Sequence, residues 1–160
     1  MLKKIIKIAL IVIIVAFIIA QFIRPDFTNP PVVASETLAA STEVPADVQT
    51  VLSRSCSDCH SNETRYPWYS KVTPFNWFLA DHIKDGRKEM NLSVWNTYAP
   101  KKKMKKLEEL CEQVEQGEMP LPSYLWIHRE AVLAEGDAAL LCNWSKAESA
   151  RIQAANPPAQ

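Results

Sequence analysis

Cys56-Ser57-Asp58-Cys59-His60 is the stretch on which the reading of this chain turns. Upstream of it, Val48, Val51 and Leu52 recur at three- and four-residue spacing, so Ala46 to Cys56 reads as an amphipathic helix that ends at the motif. Two thiols three positions apart at a helix end can each add to one of the two vinyl groups on a porphyrin edge. The next residue, His60, then falls beneath the iron and offers an imidazole nitrogen. This is the attachment pattern of covalent haem c. Covalent bonding also suits a domain too small to bury a large flat group by packing alone.

Two other uses of the same spacing fit the surroundings less well. A thioredoxin-like pair needs a βαβ setting, and no segment here alternates with period two for long enough to compel a strand. A zinc site needs two further ligands, which Cys111 and Cys142 supply only if two helices converge.

The rest of the domain reads as helices: Phe75 to Lys84 after Pro74, Pro100 to about Gln116, and Glu135 to Ala147. In the second of these, Met104, Leu107, Cys111 and Val114 form one stripe, and Gly117 sits where a C-terminal cap belongs. The fold class is all-α. Only 3 glycines among 160 residues argue against turn-rich sandwiches and barrels. Lys+Arg and Asp+Glu are equal at 18 each, so no bulk charge points to nucleic acid.

The N-terminus sets the compartment. Ile5 to Ile23 is apolar except for Lys7 and Gln21, and as a helix it spans roughly 28 Å, close to a bilayer core of about 30 Å. Lys3, Lys4 and Lys7 precede the apolar centre, so the positive-inside rule keeps the N-terminus in the cytoplasm and exports the rest. A cleaved signal peptide is the rival reading, with Ile8 to Ala20 as its apolar region, but no Ala-x-Ala site follows. The organisation expected is a membrane anchor at 1–23, a flexible Pro-rich linker at 24–45, a haem domain at 46–148 and a disordered tail at 149–160. In an exported domain disulfides persist. Cys111 and Cys142, on helices flanking Met119, are therefore expected to pair, worth roughly 3–4 kcal/mol by chain-entropy arithmetic.

Beyond the motif come Ser61, Asn62, Thr64, Tyr66, Pro67, Trp68 and Tyr69, then Gly86-Arg87, Asn91, Ser93 and Trp95, and later Gly117, Met119-Pro120 and Pro122-Ser123-Tyr124. This set resembles the bacterial haem-binding domain family, cytochrome-c-like modules often placed behind a single membrane anchor. The resemblance covers roughly Pro45 to Lys146. It implies a cytochrome-c-like fold and haem binding, and it supplies no reaction.

One axial histidine leaves a sixth position on the iron. Met119-Pro120 follows Gly117 in a loop after a helix, a setting similar to that of the methionine ligand of many cytochromes c. His82 is the main rival and His128 a weaker one, while Met90 and Met104 read as packing. Arg87 is a candidate partner for a haem propionate, since a guanidinium grips carboxylates through a fork. Trp68, Tyr66 and Trp77 are candidates to line the pocket. Nothing resembles a catalytic acid–base set, so the expectation is a non-enzymatic, one-electron carrier serving redox proteins in or at the membrane, facing the periplasm. A haem-based sensor or peroxidase-like domain is the alternative. Lys101, Lys102, Lys103, Lys105 and Lys106 open one helix against the sense of its dipole and form a candidate docking patch.

Overall fold

The structure, a computed structural model, describes residues 1–157. Among the described residues the regular elements are all helical: α1 (Leu2–Ala20), α2 (Leu38–Ser41), α3 (Ala46–Ser55), α4 (Ser57–His60), α5 (Phe75–Glu89), α6 (Pro100–Glu115), α7 (Pro122–Leu125) and α8 (Asp137–Ala155). Short 3-10 turns at Trp68–Lys71, Trp95–Thr97 and Arg129–Ala131 join them. The all-α expectation is borne out.

The main core follows from the stripe on α6. Pro100 starts that helix where a missing N–H costs nothing, and Gly117 ends it at φ 70°, a left-handed conformation suited to glycine. Leu107, Leu110, Cys111 and Val114 are buried against Leu141, Cys142, Trp144 and Ile152 of α8. The Cys111–Cys142 disulfide joins the two helices, with Cα atoms 4.6 Å apart. Val48, Val51 and Leu52 of α3 complete this core with Trp95 and Leu38. A second, smaller core gathers Tyr69, Leu79 and Ile83, with Phe27 and Tyr66 at its edge. Helix α4 lies on the seam, since Cys56 packs on the first core and Cys59 on the second.

The structure differs from expectation outside the domain. The segment 24–45 is not a free tether: Leu38 is buried in the main core, and the carbonyl of Pro31 accepts from the Asn62 side chain. Helix α8 runs on to Ala155, because Ile152 still has core to cover; residues 158–160 of the expected tail lie outside the described residues. Among the described residues no helix is long and apolar enough to cross a membrane. Helix α1 has 19 residues, but Lys3, Lys4 and Lys7 occupy its first two turns, and the helix ends at Ala20 rather than Ile23.

Candidate cofactor site

The Cys-x-x-Cys-His turn is placed by close backbone packing. Gly86 of α5 lies so near α4 that a Cβ there would meet the carbonyl oxygen of Cys59 at 2.8 Å. That approach brings the end of α5 over the motif. The carbonyl of Met90, just past α5, then lies 3.0 Å from His60 Nδ1. The Leu92 amide donates to the His60 carbonyl at 2.8 Å. A buried polar knot holds this segment. Asn91 Nδ2 donates to Asn62 Oδ1 at 2.8 Å, the Asn62 amide donates to Ser93 Oγ at 2.9 Å, and the Ser93 amide donates to Asn91 Oδ1 at 2.9 Å. Each group satisfies another, so the knot costs little desolvation and fixes one geometry.

These contacts set the state of the imidazole. With Nδ1–H given to a backbone carbonyl, Nε2 carries the lone pair, the arrangement typical of a metal-ligating histidine. Burial holds the His60 pKa below its ordinary value, opposed by the backbone hydrogen bonds, so the ring stays neutral. Cys56 and Cys59 are unpaired thiols. Burial, with the neighbouring Cys59, pushes Cys56 up to about 12, and burial with Asp58 pushes Cys59 up to about 11. A thioredoxin-like pair needs a lowered thiol pKa, so this environment argues against that use. The zinc alternative fails as well, because Cys111 and Cys142 are bonded to each other.

Two adjoining clefts of about 470 and 250 Å³ open beside the motif, within the range of small-molecule sites. Cys56, His60, Glu89, Met119 and Pro120 line both. Leu110, Val114 and Leu133 give the larger an apolar wall, while Cys59, His82, Leu121 and Tyr124 line the smaller. The structure therefore brings Met119 to the same space as His60. His82 reaches that space too, with Nδ1 2.7 Å from the Phe78 carbonyl. His128 does not: its Nε2 meets the Tyr69 hydroxyl at 2.8 Å, and its ring stacks on Tyr124.

The other residues singled out in the sequence lie elsewhere. Arg87 does not line the clefts. Its guanidinium donates to the Ser61 carbonyl (2.8 Å), Asn29 Oδ1 (2.8 Å) and Thr64 Oγ1 (2.9 Å), so it braces the loop after the motif. Tyr66 donates to Asn29, Trp68 is exposed, and Trp77 donates to the Ile23 carbonyl. Aromatic content says nothing about which way a ring points: none of these three rings lines the clefts, whereas Tyr124 does line the smaller one. The cation that does line the larger cleft is Lys106, held by Glu89 at 3.1 Å and Glu109 at 2.6 Å. That pairing also breaks up the lysine run on α6: Lys103 donates to Asn96, and Lys102 sits over the Tyr98 ring. Sequence reading missed Asp58, whose carboxylate accepts from Arg65 and from the Tyr124 hydroxyl. An acid between two cysteines carries no periodic or spacing signal of its own.

Unpaired thiols, a neutral imidazole whose Nδ1 is occupied by a backbone carbonyl, a thioether and an apolar wall around one space fit a porphyrin. A family model described as a haem-binding domain matches residues 15–147. No curated protein and no solved structure matches the chain. The matched stretch begins inside α1 and takes in the motif, both clefts and the disulfide. The chain is thus a member of the haem-binding domain family.

Proposed function

We propose that this chain is a membrane-anchored c-type cytochrome that carries single electrons on the periplasmic side of the cytoplasmic membrane. The observation behind the reading is the meeting of Cys56, Cys59, His60 and Met119 around one space. In this reading the two thiols bond the porphyrin covalently, His60 ligates the iron through Nε2, and Met119 is the sixth ligand. Bound haem supplies a one-electron iron couple whose potential a Met/His pair raises. The chain does the positioning. Met90 orients the imidazole, Leu110, Val114 and Leu133 keep water from the apolar wall, and Lys106, which lines the larger cleft, is a nearer partner for a propionate than the candidate Arg87. The molecule acts as a carrier between redox proteins in or at the membrane, with no enzymatic step and no nucleic acid partner.

The anchor in this reading is α1. Its apolar run from Ile8 to Ala20 is roughly 20 Å long, short of the about 30 Å hydrocarbon core. Lysines at its start can extend towards the cytoplasmic headgroups, and local thinning accommodates a short span at modest cost. Lys3, Lys4 and Lys7 support a cytoplasmic position for that end, by the positive-inside rule.

Expression with c-type maturation machinery, followed by denaturation and acid–acetone extraction, tests the covalent attachment. Haem that stays with the chain is expected; haem that leaves with the solvent refutes the reading. A haem-based sensor or peroxidase-like domain is the second reading, favoured by His82 at the smaller cleft. Rapid carbon monoxide binding by the ferrous protein would select it, whereas a weak ferric band near about 695 nm marks methionine ligation.

A further inference from the structure

The first turn of α5 is inside out. Asn76 is fully buried, while its neighbours Phe75, Trp77 and Phe78 are exposed. In a helix facing water the polar residue would take the outside. Thr73, just before this turn, and Trp77 within it are joined to the end of α1 and the residues after it, Ala20 to Ile23, by four hydrogen bonds. Gln21 Nε2 donates to the Thr73 carbonyl at 3.2 Å, and the Thr73 amide returns a bond to Gln21 Oε1 at 3.0 Å. Thr73 Oγ1 donates to the Ala20 carbonyl at 3.3 Å, and Trp77 Nε1 donates to the Ile23 carbonyl at 2.8 Å. The apolar helix thus enters the domain through a clamp rather than a swivel. Phe22 and Ile23, which follow α1 within the clamped segment, are exposed, and exposure across the five apolar side chains Phe22, Ile23, Phe75, Trp77 and Phe78 runs from 37 % for Trp77 to 84 % for Phe22.

We propose that Phe22, Ile23, Phe75, Trp77 and Phe78 form a shelf that rests in the headgroup–acyl boundary of a phospholipid bilayer and holds the haem domain in one orientation on it. The inference rests on the reading of α1 as the anchor. Three observations select lipid over a protein partner. The shelf is continuous with α1, whose apolar side chains are exposed on every face. Tryptophan at the end of an apolar helix is characteristic of the interfacial belt, phenylalanine is common on the apolar face of interfacial helices, and Trp77 has its N–H satisfied by the Ile23 carbonyl with its ring still partly exposed. Arg24 and Lys71, both exposed, flank the shelf and suit anionic headgroups. The shelf also lengthens the apolar surface of a helix that is short by itself, which gives the short span a physical reason.

The test uses the full haem-loaded chain in vesicles of phosphatidylethanolamine and phosphatidylglycerol containing a phospholipid with a photoactivatable diazirine near its headgroup. After flotation and illumination, adducts are mapped by mass spectrometry. Adducts on the 75–78 peptide, together with those on α1 and none on α8, are expected. Gln21→Ala, which opens the clamp, should lose the 75–78 adducts and keep those on α1. A chain that floats with adducts confined to α1 overturns the shelf and leaves the anchor standing. A chain that does not float with the vesicles overturns both. Equal 75–78 labelling in wild type and Gln21→Ala would overturn the role of the clamp in fixing the orientation.

Discussion

The hydroxyl of Tyr124 donates a hydrogen bond of 2.9 Å to the carboxylate of Asp58. One partner sits in the middle of the Cys-x-x-Cys-His turn, and the other follows Met119 by five positions, so this bond closes the site across its two sides. Burial raises the Tyr124 pKa first and the Asp58 bond raises it further, so the phenol remains a donor throughout neutral pH. Tyr124→Phe removes a bond to a charged acceptor, worth about 1–2 kcal/mol. In a urea titration of the ferric protein, the band assigned to methionine ligation should be lost before the global transition in the variant and together with it in the wild type.

Gly86→Ala sets two effects against each other. Alanine favours the helix by about 1 kcal/mol, but its Cβ would press on the Cys59 carbonyl at 2.8 Å, a backbone atom that cannot swing away. Forced overpacking costs typically 1–3 kcal/mol, so a net loss of about 1 kcal/mol is expected. Thermal melts measure it, and the Soret band should broaden as α5 shifts from the motif.

His60→Ala should keep the covalent haem, since both thiols remain, while losing the low-spin spectrum. Pyridine haemochrome stoichiometry checks the first outcome and the optical spectrum of the ferric protein checks the second.

Glu148 gives the fold a pH dependence of known sign. Burial pushes its carboxyl up, but Arg151 and the Thr42 hydroxyl bond the carboxylate at 2.6–2.7 Å and hold the pKa below the ordinary value. A depressed carboxylate stabilises the fold above the unfolded pKa, and that stability is lost as pH falls through the folded pKa. Arg151 is largely exposed, so solvent screening limits the effect to about 1 kcal/mol. Urea midpoints measured from pH 6 downward should fall less steeply in Glu148→Gln than in the wild type.

Reduction of the Cys111–Cys142 disulfide, or its replacement by two alanines, should cost about 3–4 kcal/mol, given the 31-residue separation. Urea denaturation with and without reductant, with haem content monitored, measures the loss. Two alkylated thiols in the untreated native protein would contradict the bridge.

The helices were legible because their signals are local and periodic. The stripe Leu107, Cys111 and Val114 marks α6, and its buried face is the one found. The disulfide was legible because two of four cysteines were already committed to the motif. What escaped reading depends on contacts between residues far apart in the chain. Arg87 braces Ser61, Thr64 and Asn29, and Gln21 meets Thr73 across 52 positions. A guanidinium or an amide has the same letter wherever it points, so partner choice at such distances carries no spacing signal. The proline-rich composition of 24–45 suggested a loose chain, but Phe27, Asn29, Pro31, Leu38 and Thr42 each meet a partner far along the chain and lay it on the domain.

The position of α4 on the seam between two cores has a consequence for how the domain melts. Cys56 belongs to the larger core and Cys59 to the smaller, and α4 itself buries no side chain fully. The clusters are tied a second time by α5, which runs from Leu79 and Ile83 in the smaller one to Met90 at the edge of the larger, so the motif shares the load with a helix. Bonding both sulfurs to one rigid ring, as proposed, would add a cross-brace between the two clusters. In the proposed cytochrome, maturation would then do more than load a redox centre: it would draw the two clusters closer to a single cooperative unit.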